Sequence, residues 1–288
     1  MVFAIGNGAV SITPVGVMLT RRFGSKAGVA NSIAIAGMGL GQLLILSGLS
    51  VVMVEAGWRD VFLWLGVVNL VAAPILLAGS RGKQSVTTAP PASSQDGSSL
   101  GQAARTRSFW LLVAFYAICG FQDFFVSSHV VAFALDQGEG ALFAGNLLAF
   151  MGLCGLIGVL GAGAWSDRSG PVAPTLACFW LRIAIFAIIL VDQSSVSIAV
   201  FALGFGLTFW VTAPLTVIFT RDLFGTRNLG LISGLVTMIH HMAGGVGALL
   251  GAVFFDSAGD YTGAFWLMLI VSAAATAVTY AFVWARAR

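Results

Sequence analysis

TPVGVMLTRRFGSKAGVANSIAIAGMGLGQ occupies residues 13–42, and a related stretch, APLTVIFTRDLFGTRNLGLISGLVTMIHHMAGG, occupies residues 213–245. The two copies continue to EAGWRDVF at 55–62 and to DSAGDYTGAF at 256–265. The anchors that pair across the repeat are Pro14 with Pro214, Arg21 with Arg221, Gly24 with Gly225, Gly28 with Gly230, Gly57 with Gly259 and Phe62 with Phe265. An internal repeat of this kind predicts two halves built on one structural plan.

The composition excludes a water-soluble globule. Hydrophobic residues make up 58% of the chain and charged residues only 9%, whereas about a quarter of the residues are charged in soluble domains. Each charge-poor stretch must be a helix, because an open strand edge would leave backbone groups unpaired in lipid. We find nine such stretches, at approximately 1–20, 27–54, 61–80, 108–135, 141–164, 172–191, 195–220, 229–254 and 262–284. The sequence therefore predicts an all-α integral membrane bundle of nine transmembrane helices.

Basic residues are distributed unequally between the two sides of such a bundle. If the first span runs from outside to inside, 12 of the 14 lysines and arginines lie on one side, with Arg59 opposite and Arg182 inside a span. The positive-inside rule places the crowded side in the cytoplasm, so the N-terminus is expected outside and the C-terminus inside, in a bacterial inner membrane. Topology accounts for the net charge of +3, and the bilayer rather than nucleic acid is the expected partner.

One segment is too polar for the membrane. Residues 80–107 are rich in Ser, Gly, Pro and Ala, a composition that cannot form a packed core, so we predict a mobile cytoplasmic linker. This linker divides a partial three-helix bundle at 1–79 from a six-helix bundle at 108–288. If both halves had six helices, the first would lack about ninety residues, at roughly thirty per crossing with its loop. The missing helices are then expected to be needed in cis or in trans.

The loop GAWSDRSG at 163–170 carries a spaced motif, G-x-x-x-D-R-x-G, formed by Gly163, Asp167, Arg168 and Gly170. With the six-helix second half and the long basic linker, this loop resembles the major facilitator superfamily of transporters, where the motif is a cytoplasmic latch between helices. From the residues alone, Asp167 can accept hydrogen bonds from the amides that open the next helix. An ordinary charged loop is the alternative.

Three further stretches are similar to one branch of that superfamily, the monocarboxylate and oxalate/formate porters. They are GWRDVF at 57–62, VSSHVVAFALDQG at 126–138 and FDSAGDYTGAF at 255–265. The span 141–164 carries Asn146 where that branch often has an arginine. The resemblance implies a small-molecule substrate, possibly an organic anion such as a monocarboxylate.

The repeat and the resemblance together imply a secondary active transporter that works by alternating access with proton coupling. The alternative is a non-transporting membrane sensor or an inactive fragment of a transporter. Three more apolar spans encoded in frame upstream of Met1 would favour the transporter. No enzyme, cofactor or metal site is expected, because the sequence has no HExxH motif and no phosphate-binding GxxxxGK motif.

Glycines are concentrated in three spans, where small residues let helix backbones approach closely. The resemblance implies that the spans 27–54 and 141–164 pack against each other across the two halves. It also implies that the glycines from Gly244 to Gly251 face a first-half helix that the chain lacks. Static packing and a moving contact are both open as their purpose.

Polar residues inside spans are the candidates for a substrate or proton pathway, since each costs free energy in hydrocarbon. Asp123 and Arg182 are expected at similar depth, which favours a structural ion pair, with proton or substrate handling by Asp123 as the alternative. Gln122 and His129 share a helix face at seven-residue spacing. The remaining candidates are His240 and His241, which point about 100° apart, and Ser11, Thr13, Trp210 and Thr212, which lie on spans that line the cavity in the superfamily. For each of these a hydrogen-bonded packing role is the alternative.

Overall fold

The structure, a computed structural model, describes residues 12–37, 40–41, 57–80 and 97–286, which are almost entirely helical. The chain divides into two compact units, residues 1–39 with 97–288, and residues 40–96. The helices of the first unit are α1 (Ile12–Phe23), followed by a 3-10 turn at Gly24–Lys26, α2 (27–37), α4 (Leu100–Ala104), α5 (Arg107–Asp136), α6 (Ala141–Ser169), α7 (Val172–Val191), α8 (Ser195–Phe209), α9 (Thr212–Phe224), α10 (Leu229–Ala258) and α11 (Thr262–Arg286). In the second unit the described helix is α3 (Trp58–Ser80).

Within the described residues, six helical segments are long and apolar enough to cross a membrane: α5, α6, α7, the α8–α9 pair, α10 and α11. They coincide with the last six predicted spans, and the all-α integral membrane class is confirmed. The α3 helix lies at the third predicted span. The predicted spans 1–20 and 27–54 lie partly outside the described residues, so the count of nine stays a prediction.

The predicted span 195–220 consists of two helices. A turn at Trp210 and Val211 separates α8 from α9. Pro214 causes the break, because it has no N–H to donate to the Trp210 carbonyl and its ring would collide with that carbonyl in a continuous helix. Pro14, its partner in the repeat, occupies the matching third position of the described part of α1.

Two aromatic-rich clusters form the core of the six-helix part. One includes Phe109, Phe115, Phe179, Phe219 and Phe282, and the other includes Phe125, Phe133, Phe186, Phe201 and Phe265. Along α5 the first cluster ends at Cys119 and the second begins at Phe125. Gln122 and Asp123 fall between them, so these polar side chains are enclosed by apolar packing on both sides.

The end of the predicted mobile linker is folded. The Ser98 N–H donates to the Phe224 carbonyl at 2.9 Å, and the Asn228 side chain donates to the Ser98 carbonyl at 2.9 Å. Ser99 and Gln102 form a capping box on α4, whose Ala103 is fully buried. The prediction was wrong for 97–107 because caps and a single buried alanine can hold a short segment that has no apolar run. Residues 81–96 of the linker lie outside the described residues.

Glycines mark the closest helix approaches. A Cβ added to Gly163 on α6 would collide with Ser32 and with the Gly28 carbonyl on α2. The predicted approach of these two spans across the repeat is therefore confirmed. On the same helix a Cβ at Gly158 would collide with the Leu207 carbonyl of α8, so α6 uses its glycines toward two neighbours.

Three of the four glycines between Gly244 and Gly251 face α5 and not an absent helix, so the prediction was wrong for them, whereas a Cβ at Gly245 has no neighbour within 4 Å. Gly244 lies against Phe124, Gly247 against the Phe121 carbonyl and Gly251 against His129, all on α5. The spacing of glycines in the sequence predicts a helix face with small side chains, but it does not predict which helix packs against that face. Here α5 of the same half fills the groove with its aromatic side chains.

Candidate functional site

A charge pair is buried inside the six-helix part. Arg182 on α7 donates from Nη2 to Asp123 Oδ1 on α5 at 2.6 Å, and the two residues are 0% and 5% exposed. Arg182 also donates from Nη1 to Gln122 Oε1 at 3.2 Å and from Nε to Thr208 Oγ1 at 3.0 Å. Its guanidinium carbon lies 4.5 Å from the centroid of the Phe205 ring. Each guanidinium nitrogen therefore has an acceptor, which is the condition under which a charge can be buried.

Gln122 extends this arrangement to a further helix. Its Nε2 donates to the Met268 carbonyl at 2.9 Å and to Ser272 Oγ at 2.6 Å, both on α11. Side chains from α5, α7, α8 and α11 are thus joined by one set of hydrogen bonds. We call this set, formed by Gln122, Asp123, Arg182, Thr208 and Ser272, the buried charge network.

The second carboxylate oxygen of Asp123 has a different partner. Cys119 Sγ donates to Asp123 Oδ2 at 3.3 Å and lies 2.9 Å from Thr212 Oγ1 on α9. His240 on α10 lies alongside, and its Nδ1 is 3.0 Å from the Tyr116 carbonyl. The ligand atoms of Cys119, Asp123 and His240 lie within 4.8 Å of one another, a grouping that could hold a metal ion. Spacing in the sequence could not reveal it, because the histidine is more than a hundred residues from its neighbours.

A second set of contacts joins α1 and α2 to the six-helix part. These contacts lie at the end of the first unit where α1, α6 and α9 finish, and we call this end of the molecule the basic end. Asp167, at the end of α6, accepts from the Gly28 N–H at 2.7 Å and from the Val29 N–H at 2.9 Å. The carboxylate thereby caps α2. We predicted that it caps the next helix, α7, and that was wrong. Gly163 brings the start of α2 over the end of α6, and Gly170 turns the chain away at a φ of 80°.

Two arginines complete the basic end by a reciprocal exchange. Arg21 Nη2 donates to the Thr226 carbonyl at 2.8 Å, and Arg221 Nη1 donates to the Gly24 carbonyl at 2.8 Å. Arg21 and Arg221 are partners in the repeat, and each reaches the turn that follows the other's helix. The repeat alignment had already paired Arg21 with Arg221. From the sequence we used the two residues only as basic residues that set the membrane orientation.

The three histidines occupy different environments. His129 and Gln122 do lie on one side of α5, but His129 contacts α10, with Nε2 at 2.8 Å from the Ala248 carbonyl and Nδ1 at 3.3 Å from the Tyr261 hydroxyl. His240 is buried, whereas His241 is exposed and its Nδ1 lies 2.8 Å from the Thr237 carbonyl of its own helix.

The other predicted residues are more scattered. Thr13 Oγ1 donates to Thr237 Oγ1 at 3.2 Å, which links α1 to α10. Trp210 packs beside Gly155 of α6, and Arg168 is exposed at the basic end. Ser11 lies outside the described residues. A substrate or proton role for these side chains stays a prediction.

The opposite end of the six-helix part carries acidic residues, namely Asp136, Glu139, Asp192, Asp256 and Asp260, and we call it the acidic end. Asp192 accepts from Ser194 Oγ at 2.6 Å, from the Ser194 N–H at 3.2 Å and from Ser197 Oγ. The hydrogen bonds from these serines lower the pKa of Asp192 below its ordinary value. All these contacts are local to the α7–α8 connection.

Comparisons with known proteins give a consistent result. The family model described as uncharacterised MFS-type transporter YbfB matches residues 2–284. Monocarboxylate transporter 13 of Bos taurus is 24% identical over 264 residues, covering 90% of this chain and 61% of that protein. Monocarboxylate transporter 11 of Homo sapiens is 28% identical over 268 residues, covering 86% and 55%. The uncharacterized MFS-type transporter YcxA of Bacillus subtilis is 25% identical over 256 residues, covering 83% and 60%. The chain thus spans 55–61% of the length of these relatives.

Solved structures share the fold. The fucose:proton symporter FucP of E. coli, in its N162A form, has a TM-score of 0.62 at 19% identity, covering 92% of this chain and 70% of that one. FucP in the outward conformation, described as a major facilitator superfamily transporter, also has a TM-score of 0.62, at 20% identity, covering 96% and 71%. At this level of identity the likeness concerns the fold alone.

Proposed function

From the premise that this chain belongs to the family of MFS-type transporters, we propose that it is part of a secondary active transporter that moves a small solute by alternating access. The observation that carries the proposal is the set of contacts between repeats at the basic end. Alternating access requires two halves that separate at one end while they close at the other. Arg21 and Arg221 each bond to a main-chain carbonyl of the other repeat, and Asp167 of the six-helix part accepts from a main-chain N–H of α2. Such contacts can close this end and release it.

We propose that the substrate is a small organic anion such as a monocarboxylate and that its movement is coupled to protons. The names of the monocarboxylate transporter relatives support the substrate class, and the name of the FucP symporter supports proton coupling. Asp123 and His240 are the candidates for the proton, because they are buried ionisable side chains near one another. Arg182 is a poor candidate for binding the anion, because each of its nitrogens already has an acceptor within the protein.

We further propose that the working carrier has two six-helix halves, of which this chain supplies three helices and then six. The support is the predicted nine spans together with the 55–61% of its relatives' length that the chain covers. Helices from an upstream extension or a separate polypeptide would complete the first half. Lipid could not replace them, since a polar pathway would then meet hydrocarbon.

Uptake into proteoliposomes tests this proposal. Proteoliposomes that contain the chain with an upstream extension should take up at least one small monocarboxylate saturably, and faster with an inwardly directed proton gradient. At matched abundance, the 288-residue form alone should insert but not transport. Uptake by the extended form that ignores the gradient would remove proton coupling. Absence of uptake for every anion tested would favour a non-transporting sensor.

We also propose that the basic end faces the cytoplasm, in agreement with the positive-inside rule. A cysteine placed at Ser98 should then be labelled by an impermeant maleimide only in inside-out vesicles. Cysteines placed at Gly138, Ser194 or Gly259 should be labelled from outside intact cells. Labelling of the Ser98 position from outside would contradict this orientation.

A further inference from the structure

We propose that Cys119, Asp123 and His240 form a binding site for a soft monovalent metal cation, with copper(I) as the ligand class and silver(I) as the probe. The sulfur, a carboxylate oxygen and a ring nitrogen of these residues lie within 4.8 Å of one another. If the bond lengths known for zinc, about 2.3 Å to sulfur and about 2.1 Å to nitrogen, are taken as a guide, ligands on opposite sides of one ion lie about 4.4 Å apart. The donors are therefore spaced for a single ion between α5 and α10.

Hydrogen bonding sets the tautomer of the neutral His240 ring. Its Nδ1 lies 3.0 Å from the Tyr116 carbonyl, which can only accept, so Nδ1 carries the proton and the neutral ring has its lone pair on Nε2, the atom that we propose as the ligand. A carbonyl partner of this kind commonly orients metal-binding histidines. The ring is also stacked on Tyr116 at a centroid distance of 4.3 Å.

Charge selects the class of cation. Asp123 Oδ1 is paired with Arg182 at 2.6 Å, and Oδ2 accepts from the Cys119 thiol at 3.3 Å. The carboxylate, the guanidinium and the neutral thiol together therefore carry no net charge. A monovalent ion that replaces the thiol proton, with that proton released to water, leaves the net charge at zero. A divalent ion would leave an uncompensated positive charge beside Arg182, in a buried site where isolated charges are costly. Thiolate and imidazole ligands are those that favour copper(I).

The chain contains its own control thiols. Cys178 is also buried, but its sulfur lies 3.8 Å from the Thr208 carbonyl, and Cys154 is only partly buried on α6. Within the described residues neither belongs to a grouping with histidine and carboxylate of the kind formed around Cys119.

Silver binding by the purified, reduced chain in detergent is the test, using calorimetric titration and the silver retained after desalting. We expect one tightly retained ion per chain, with an affinity that falls at least roughly ten-fold in Cys119→Ser and in His240→Gln, as expected when a ligand is lost. Cys154→Ser and Cys178→Ser should keep the affinity of the parent protein. An unchanged affinity in Cys119→Ser, or an equal loss in Cys178→Ser, would overturn the site.

A second measurement guards against variants that fail to fold. X-ray absorption of the silver-loaded parent protein should show one sulfur and at least one nitrogen ligand. A sulfur-only environment would overturn the proposal. Neither experiment uses transport, so its outcome is independent of the function proposed above.

Discussion

The buried charge network and the basic end use the same chemistry, arginines bonded to oxygen atoms, in opposite ways. The network lies within the six-helix part, and Arg182 in it is 0% exposed with an acceptor for each nitrogen. At the basic end, Arg21 and Arg221 are solvent-accessible, and each donates to one main-chain carbonyl of the other repeat. Arg221 is also paired with the neighbouring Asp222.

The difference follows from what each contact costs to break. Removing one partner of a buried pair leaves a charge without solvent or counter-charge, whereas an exposed arginine that loses its carbonyl regains water. We therefore expect contacts inside one half to be permanent and contacts between the repeats to be reversible. A carrier whose halves move as rigid bodies requires this arrangement.

The largest expected effect is on the network. Asp123→Asn should lower the free energy of unfolding by about 3–5 kcal/mol, because it leaves Arg182 buried without a counter-charge. The measurement is a thermal or denaturant unfolding curve in detergent. The double variant with Arg182→Gln should recover part of the loss, since no charge then remains.

A matched control lies at the basic end. Asp222 is paired with Arg221 at 2.7 Å, but the two side chains are about a quarter exposed, so Asp222→Asn should cost only about 0–1 kcal/mol. If the two aspartate substitutions destabilised the protein equally, or if the losses at Asp123 and Arg182 simply added, the distinction between permanent and reversible contacts would fail.

The second effect concerns helix contacts within the six-helix part. Gly247→Ala and Gly158→Ala should each destabilise by about 1–3 kcal/mol, because the new methyl group would collide with a carbonyl of the neighbouring helix. Gly161→Ala is the control, since a Cβ there has no neighbour within 4 Å. Unfolding curves should separate the first two variants from the third, and three equal responses would contradict tight packing along these helices.

The features that depend on composition and on the position of a residue within an apolar span could be predicted from the sequence. The six described spans follow from apolar length, and the closeness of Gly163 to Gly28 follows from small residues. The depth argument also brought Asp123 and Arg182 together as an expected pair, and the structure places them 2.6 Å apart.

Properties that depend on which neighbour occupies a given face could not be predicted. Asp167 caps α2 rather than α7. Gly244, Gly247 and Gly251 of α10 pack against α5 rather than against a first-half helix. A side chain's hydrogen-bonding capacity is local, but its partner is set by the packing of remote helices. The same reason hid the grouping of Cys119 with His240.

The third effect concerns the equilibrium between the joined and the separated arrangement of the two repeats at the basic end, rather than the free energy of unfolding. The double substitution Arg21→Ala with Arg221→Ala should change unfolding by under about 1 kcal/mol per site, as for exposed contacts. It should raise the labelling rate of a cysteine placed at Val217 on α9, which is buried against Val17 of α1 where the two repeats meet. A tenfold rise would correspond to about 1.4 kcal/mol.

The control for that experiment is a cysteine at Thr175, which is also buried but lies on α7, away from the repeat contacts. Its labelling should not respond to the arginine substitutions. Asp167→Asn should act in the same direction as the arginine changes, because it weakens the cap on α2. Faster labelling at both cysteines would indicate general loosening and would contradict a reversible contact confined to the basic end.

The smallest effect is expected at the acidic end, where Asp192 bonds only to nearby serines of its own connection. Hydrogen bonds from Ser194 and Ser197 hold the pKa of Asp192 below 3.8, its ordinary value. A lowered folded pKa adds stability above the unfolded pKa, and that stability is lost as the pH falls through the folded value. Asp192→Asn should therefore destabilise slightly at neutral pH, with a difference from the parent protein that shrinks as the pH falls below about 4. Unfolding curves between neutral pH and the acid range measure this difference. The substitution should leave labelling at Val217→Cys unchanged, because no bond of Asp192 joins the two repeats. An altered labelling rate would mean that the two ends are coupled and that local contacts also set the equilibrium between the repeats.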